Sequence, residues 1–133
     1  MKNMYSVAVV GAGPAGLSTA INTQKAGWNT IVIEEHQKVG VPINCTGIIS
    51  RSGVEELGLS ISDITVNAVR GARIFSPNKS ELTVKKSESV AYVVERDKLD
   101  QKLEQEALKA GVTIKTNTRL LNYRNQTLFV ESN

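Results

Sequence analysis

Gly11-Ala12-Gly13-Pro14-Ala15-Gly16 lies between two apolar, β-rich runs, and its surroundings decide the fold. Ahead of it, residues 6–10 read Ser-Val-Ala-Val-Val, a buried-strand pattern that stops on Gly11. Behind it, Pro14 stands where the first turn of a helix tolerates proline. Leu17, Ala20, Ile21 and Gln24 then keep the i, i+3, i+4, i+7 spacing of a helix face, apolar at three of the four positions. Gly27 offers a C-terminal stop. Residues 30–33, Thr-Ile-Val-Ile, form a second β-branched run closed by Glu34. Strand, helix and strand in this order predict a βαβ unit with a parallel strand pair.

A lone G-x-G-x-x-G is a weak signal, and a glycine-rich turn in a ligand-free α/β fold is the bland alternative. The context is stronger than the motif. Glu34 follows Gly11 by 23 positions, near the ~20 at which a dinucleotide-binding unit carries its ribose acid. Gly11 permits a tight strand-to-helix turn, and Gly13 lacks a side chain where a pyrophosphate must meet the backbone. Gly16 allows the helix to pack closely on the sheet, with small Ala20 one turn on. The helix N-terminus, which includes Pro14 and Ala15, offers unsatisfied N–H groups and a partial positive charge to phosphates. Glu34 can accept hydrogen bonds from ribose hydroxyls, and its charge disfavours the 2′-phosphate of an NADP-type adenosine.

Composition bounds the remaining options. At 133 residues the chain fits one domain, and no internal repeat or interdomain linker is visible. With 41% hydrophobic and 22% charged residues it reads as soluble and globular, which excludes disordered and fibrous classes. One cysteine, Cys45, rules out a disulfide framework or a cysteine zinc site and suits a reducing compartment. No apolar run is long enough to span a bilayer, and no signal segment is visible. A cytoplasmic protein is therefore expected, with peripheral membrane contact as a further expectation. The net charge of +3 comes from cations scattered among acids, so nucleic acid is not an expected partner. No metal site is expected.

After Glu34 the pattern changes. Residues 36–49 contain Gly40, Pro42 and Gly47 without a sustained period and read as a loop. Residues 50–57 suggest a short helix ended by Gly58. Residues 64–94 alternate like strands: 69–75 and 81–85 flank a turn-like Ser76-Pro77-Asn78-Lys79-Ser80, and 91–94 form another strand. Residues 96–110 read as a helix with a stripe of Leu99, Leu103, Glu106, Ala107 and Ala110, capped by Gly111. Residues 112–115 predict a strand, and 119–123 with 127–130 a hairpin around Arg124-Asn125-Gln126. The fold class is thus α/β: a Rossmann-like FAD/NAD(P)-binding domain with a parallel βαβ core and an antiparallel β insertion.

NAD and FAD share the glycine fingerprint, so the motif alone does not choose between them. The β-rich interruption before the 96–110 helix favours a flavoprotein. Here a resemblance becomes specific. Val9-Val10-Gly11 through Ala20, ending in Val32-Ile33-Glu34, resembles the N-terminus of FAD-dependent oxidoreductases of the p-hydroxybenzoate hydroxylase-like group. Gly40-Val41-Pro42-Ile43-Asn44-Cys45-Thr46-Gly47 resembles the G-x-P-x-x-C-x-G segment of the geranylgeranyl reductase family. Arg96, Asp100, Leu103, Ala107 and Gly111 are similar to that family's R-x-x-x-D-x-x-L-x-x-x-A-x-x-x-G helix. The resemblance implies an FAD-dependent oxidoreductase that saturates prenyl C=C bonds in lipid metabolism, drawing on an electron donor the residues do not name. It implies that Gly11, Gly13, Gly16 and Glu34 hold the ADP half of FAD, that Arg96 lies near the phosphates, and that Cys45 lies near the isoalloxazine ring.

The chain departs from the family in two ways. Glu35 follows the ribose acid where many relatives carry a cation, which adds negative charge near the adenosine. The family's later Gly-Asp segment does not occur before Asn133, so residues 1–133 are expected to be an incomplete FAD-binding domain without the substrate domain. Alternatives are a flavin-dependent monooxygenase fragment, or a non-catalytic nucleotide-binding module that self-associates through an exposed sheet edge.

Several residues carry two readings. Cys45 is a flavin-tuning thiol or a loop thiol without a role. Arg96 contacts the cofactor or forms a surface ion pair with Asp100 at i, i+4. His36 is expected to be a solvated loop residue, Trp28 to pack beside the Gly27 turn, and Lys85-Lys86 to be a solvated face.

Overall fold

The computed structural model describes residues 4–132. They fall into two compact units, residues 4–43 with 97–132, and Asn44–Arg96.

The first unit is built on the βαβ core. Strand β1 (Val7–Val10) leads through the glycine loop into helix α1 (Pro14–Lys25), and β2 (Thr30–Ile33) returns parallel to β1 with Val7 opposite Thr30 and Val10 opposite Ile33. Every residue of β2 is buried, as a central parallel strand requires. Its second neighbour is a strand from the far end of the chain, Thr113–Lys115, also parallel. Leu17 and Ala20 of α1 are fully buried, and Leu99, Leu103 and Ala107 of the long helix Arg96–Lys109 join the apolar core. Asp100, which the ion-pair reading of Arg96 places at the surface, is only 6% exposed.

The second unit is antiparallel. Strand β3 (Ile48–Ser50) and strand β4 (Thr65–Val69) flank the strand Ala91–Val94. Helix α2 (Arg51–Leu57) follows β3, with the Ser50 hydroxyl accepting the Gly53 N–H at 3.0 Å as an N-cap and Gly58 closing its C-terminus. A hairpin pairs β5 (Gly71–Phe75) with β6 (Glu81–Lys85). In chain order the later elements are β7 (Ala91–Val94), α3 (Arg96–Lys109), β8 (Thr113–Lys115), β9 (Thr118–Arg124) and β10 (Thr127–Ser132).

Three local expectations are corrected. The span 69–75 is not one strand: it breaks at Arg70, whose carbonyl accepts the Lys86 N–H at 2.8 Å and so belongs to the entry of a new hairpin. Residues 36–49 are not all loop, because Ile48 and Ile49 pair with β7. Trp28, expected to pack beside the Gly27 turn, is left 57% exposed. Fully buried Thr30 donates its hydroxyl to the Trp28 carbonyl at 2.8 Å. The last hairpin forms as expected, with Asn125 and Gln126 at φ 49° and 58°, the left-handed pair that a two-residue turn demands.

Candidate functional site

The glycine loop is shaped by two opposite requirements. A Cβ on Gly16 would stand 2.0 Å from the Gly11 carbonyl oxygen and 3.3 Å from Val9 Cγ1, so only glycine lets α1 settle against β1. A Cβ on Gly13 would meet nothing within 4 Å, and Gly13 lies at φ −76°, where any residue is unstrained. The protein itself does not need glycine at position 13. A group approaching the backbone from outside does.

Gly13 is the N-cap of α1, and no side chain caps that end. Pro14 takes the first helical position, where its missing N–H costs nothing. The helical ladder opens with the Leu17 N–H donating to the Gly13 carbonyl at 2.9 Å. The N–H groups of Ala15 and Gly16 precede that bond and form the positive end of the helix.

Glu34 closes the loop from the end of β2 and is 9% exposed. Its Oε2 accepts the Ala12 N–H at 2.7 Å, and its Oε1 accepts the His36 N–H at 2.9 Å. His36 Nδ1 lies 2.6 Å from the same Oε1. A carboxylate only accepts, so Nδ1 carries the proton in this contact. His36 is therefore not a purely solvated loop residue: its side chain is 49% exposed, but one ring edge is held by Glu34. Its neighbour's backbone sets this up, because the Glu34 N–H donates to the Lys115 carbonyl, the Thr118 N–H to the Glu34 carbonyl, and the Asn117 N–H to the His36 carbonyl. Burial pushes the Glu34 carboxyl up, but the Ala12 and His36 N–H groups together with the His36 ring outweigh it, and the net position is below the ordinary value. Nothing in the glycine spacing signalled His36; only the tight turn after β2 brings it back to the acid.

Glu35 is exposed, and Arg119 Nε on β9 stands 3.6 Å from its Oε2, which offsets part of the added charge. Cys45 is exposed, with the Gly47 N–H 3.5 Å from its Sγ, and belongs to the second unit together with the partly buried Arg96. Gly40, at φ +81°, was not singled out for packing. A Cβ there would lie 2.8 Å from the Asp97 carbonyl oxygen and 3.2 Å from Asp100 Cβ, so the G-x-P segment touches the start of α3 through this glycine. Among the described residues no group of His, Cys, Asp and Glu is arranged to hold a metal, and no helix is long and apolar enough to cross a membrane.

An uncapped helix N-terminus, an open glycine and a buried acid at the tip of the second strand define a dinucleotide-binding protein. The chain belongs to the FAD binding domain family, which it matches over residues 4–132. It is 36% identical over 121 residues to the digeranylgeranylglycerophospholipid reductase of Methanococcus vannielii, an alignment covering 90% of this chain and 30% of that protein. The enzyme of the same name from Methanocaldococcus jannaschii is 35% identical over 119 residues, covering 89% of this chain and 30% of its own length. Among solved structures, a geranylgeranyl bacteriochlorophyll reductase-like protein from Thermoplasma acidophilum superposes with a TM-score of 0.83 at 31% identity, covering 93% of this chain and 33% of that one. The chain thus spans about 30% of the length of these curated relatives. The family's cofactor is FAD, and the open Gly13 and the uncapped α1 N-terminus fit its pyrophosphate.

Proposed function

We propose that this chain is the FAD-binding part of a reductase that saturates C=C bonds of a prenyl lipid. The observation that carries this is the 36% identity over 121 residues to a digeranylgeranylglycerophospholipid reductase. FAD, when bound, supplies the hydride chemistry. The residues of this chain bind and orient it. The Ala15 and Gly16 amides at the α1 N-terminus receive the pyrophosphate, with Gly13 leaving the backbone open to it. Glu34 keeps acceptor capacity beyond its two backbone N–H bonds and takes the ribose hydroxyls. From the resemblance alone, Arg96 is assigned to the phosphates and Cys45 to the ring system.

The test is a chimera in which residues 4–132 replace the corresponding part of the Methanocaldococcus jannaschii relative. Purified with FAD, reduced anaerobically and given a digeranylgeranyl lipid, it is expected to add two hydrogens per reduced bond, read by mass spectrometry. A chimera that retains FAD but leaves the lipid mass unchanged would overturn the assignment. Oxygen-dependent hydroxylation instead would establish a monooxygenase.

A further inference from the structure

The β5–β6 hairpin is almost wholly solvent-exposed, yet it is not polar. Its register places Ile74 opposite Leu82 and Ala72 opposite Val84. Paired residues share a face, and alternate residues along a strand return to it, so these four side chains form one continuous apolar surface. Ile74 is 54%, Leu82 60% and Val84 46% exposed. On the opposite face Phe75, also exposed, lies beneath the Arg73 guanidinium, 5.9 Å from carbon to ring centroid.

The charge of the chain is concentrated on this element. Residues 70–86 contain Arg70, Arg73, Lys79, Lys85 and Lys86 against Glu81 alone, a net +4 in a chain whose total is +3, so all the other residues together sum to −1. The five cations fall within this one contiguous stretch, with Lys79 at the turn and the others along the strands and at the base of the hairpin. Lys79 sits in the turn at φ 66°, in a loop closed by the Ser76 N–H to Ser80 carbonyl bond at 3.0 Å and the Lys79 N–H to Ser76 carbonyl bond at 2.9 Å.

We propose that the β5–β6 hairpin docks on an anionic lipid bilayer. Arg73 and Lys85 lie on the Phe75 face, whereas Arg70 and Lys86, joined by the Lys86 N–H to Arg70 carbonyl bond, continue the alternation of the Ile74/Leu82/Val84 face. These two and Lys79 at the turn meet the headgroup charge while that face enters the boundary with the acyl chains, the two contributions that hold a peripheral protein to a membrane. Charge complementarity selects this occupant over a neutral apolar partner. A prenyl lipid is held in such a surface, but the docking stands on the hairpin and not on the proposed reaction.

The experiment is co-sedimentation of the FAD-loaded chain with vesicles of phosphatidylcholine, with and without phosphatidylglycerol. Binding is expected only to the anionic vesicles and is expected to fall with added salt. Arg70→Glu/Lys86→Glu and, separately, Ile74→Ser/Leu82→Ser are each expected to weaken it by about tenfold or more, with unchanged circular dichroism and FAD retention. Equal binding to neutral vesicles, full binding by either double variant, or a dimer by light scattering that Ile74→Ser/Leu82→Ser dissociates would overturn the proposal. FAD retention is read in the same samples, so a failed docking is distinguished from a failed cofactor assignment.

Discussion

The backbone N–H of Ala12 donates to Glu34 Oε2 across 2.7 Å, so the acid at the tip of β2 braces the phosphate loop it faces. Ala12 is 1% exposed, so the donor is a buried one. One carboxylate thus holds the loop in shape and, in the proposed cofactor site, would also face the ribose.

Glu34→Ala is expected to destabilise the fold by about 1–3 kcal/mol, the cost of leaving a buried donor unmade. The check is a urea titration, in which the midpoint falls while the slope is unchanged. An unaltered midpoint would mean that the loop holds itself.

The same contact gives stability a pH dependence. Glu34 titrates below its ordinary 4.5 in the folded state. The stabilisation is therefore fully present above 4.5 and is lost as pH falls through the lowered folded value. Comparing wild type with Glu34→Gln from neutral to acid pH, the gap in unfolding free energy is expected to shrink at the acid end. A gap that widens on acidification would reverse the sign.

Gly16 and Gly13 are expected to separate stability from binding. Gly16→Ala forces a Cβ to within 2.0 Å of the Gly11 carbonyl oxygen, a contact that must be relieved by moving α1 off the sheet. Overpacking of this kind costs about 1–3 kcal/mol or more. Gly13→Ala enters open space at an ordinary φ, and its effect is expected to stay within about 1 kcal/mol, the scale of an N-cap exchange. Thermal melts of the two variants check the contrast.

His36 positions Glu34 through Nδ1, so it is expected to affect FAD affinity without touching the phosphate loop. His36→Ala is expected to weaken FAD about three- to tenfold, the size of one lost hydrogen bond. His36→Asn keeps a donor near the Nδ1 position and is expected to restore part of the loss. Equal affinities for all three proteins would make the contact ornamental.

The βαβ core was legible because its signal is local. Glycine spacing, two β-branched runs and an acid at a set distance need no tertiary context, and the helix at 96–109 announced itself through Leu99, Leu103 and Ala107. What escaped depends on how separated residues meet. His36 turns back onto Glu34 because Asn117 and Thr118 hydrogen-bond the chain after β2, and those partners lie some eighty positions away. Thr30 is buried and bonded to the Trp28 carbonyl, while the Trp28 side chain stays exposed. The hairpin's apolar face emerges only when β5 and β6 pair and set Ile74 beside Leu82 and Ala72 beside Val84. Gly40 shows the same limit: its tight fit against Asp97 and Asp100 joins two motifs that the sequence keeps apart.

Titrating FAD into the folded 133-residue chain, wild type beside Gly13→Ala, is the most direct test of FAD binding at the phosphate loop. Flavin fluorescence should report saturable one-to-one binding that ADP competes away, and Gly13→Ala should weaken it by about tenfold or more while melting within a few degrees of wild type. No saturable binding by the folded wild type, or equal affinity in the Gly13→Ala variant, would contradict it.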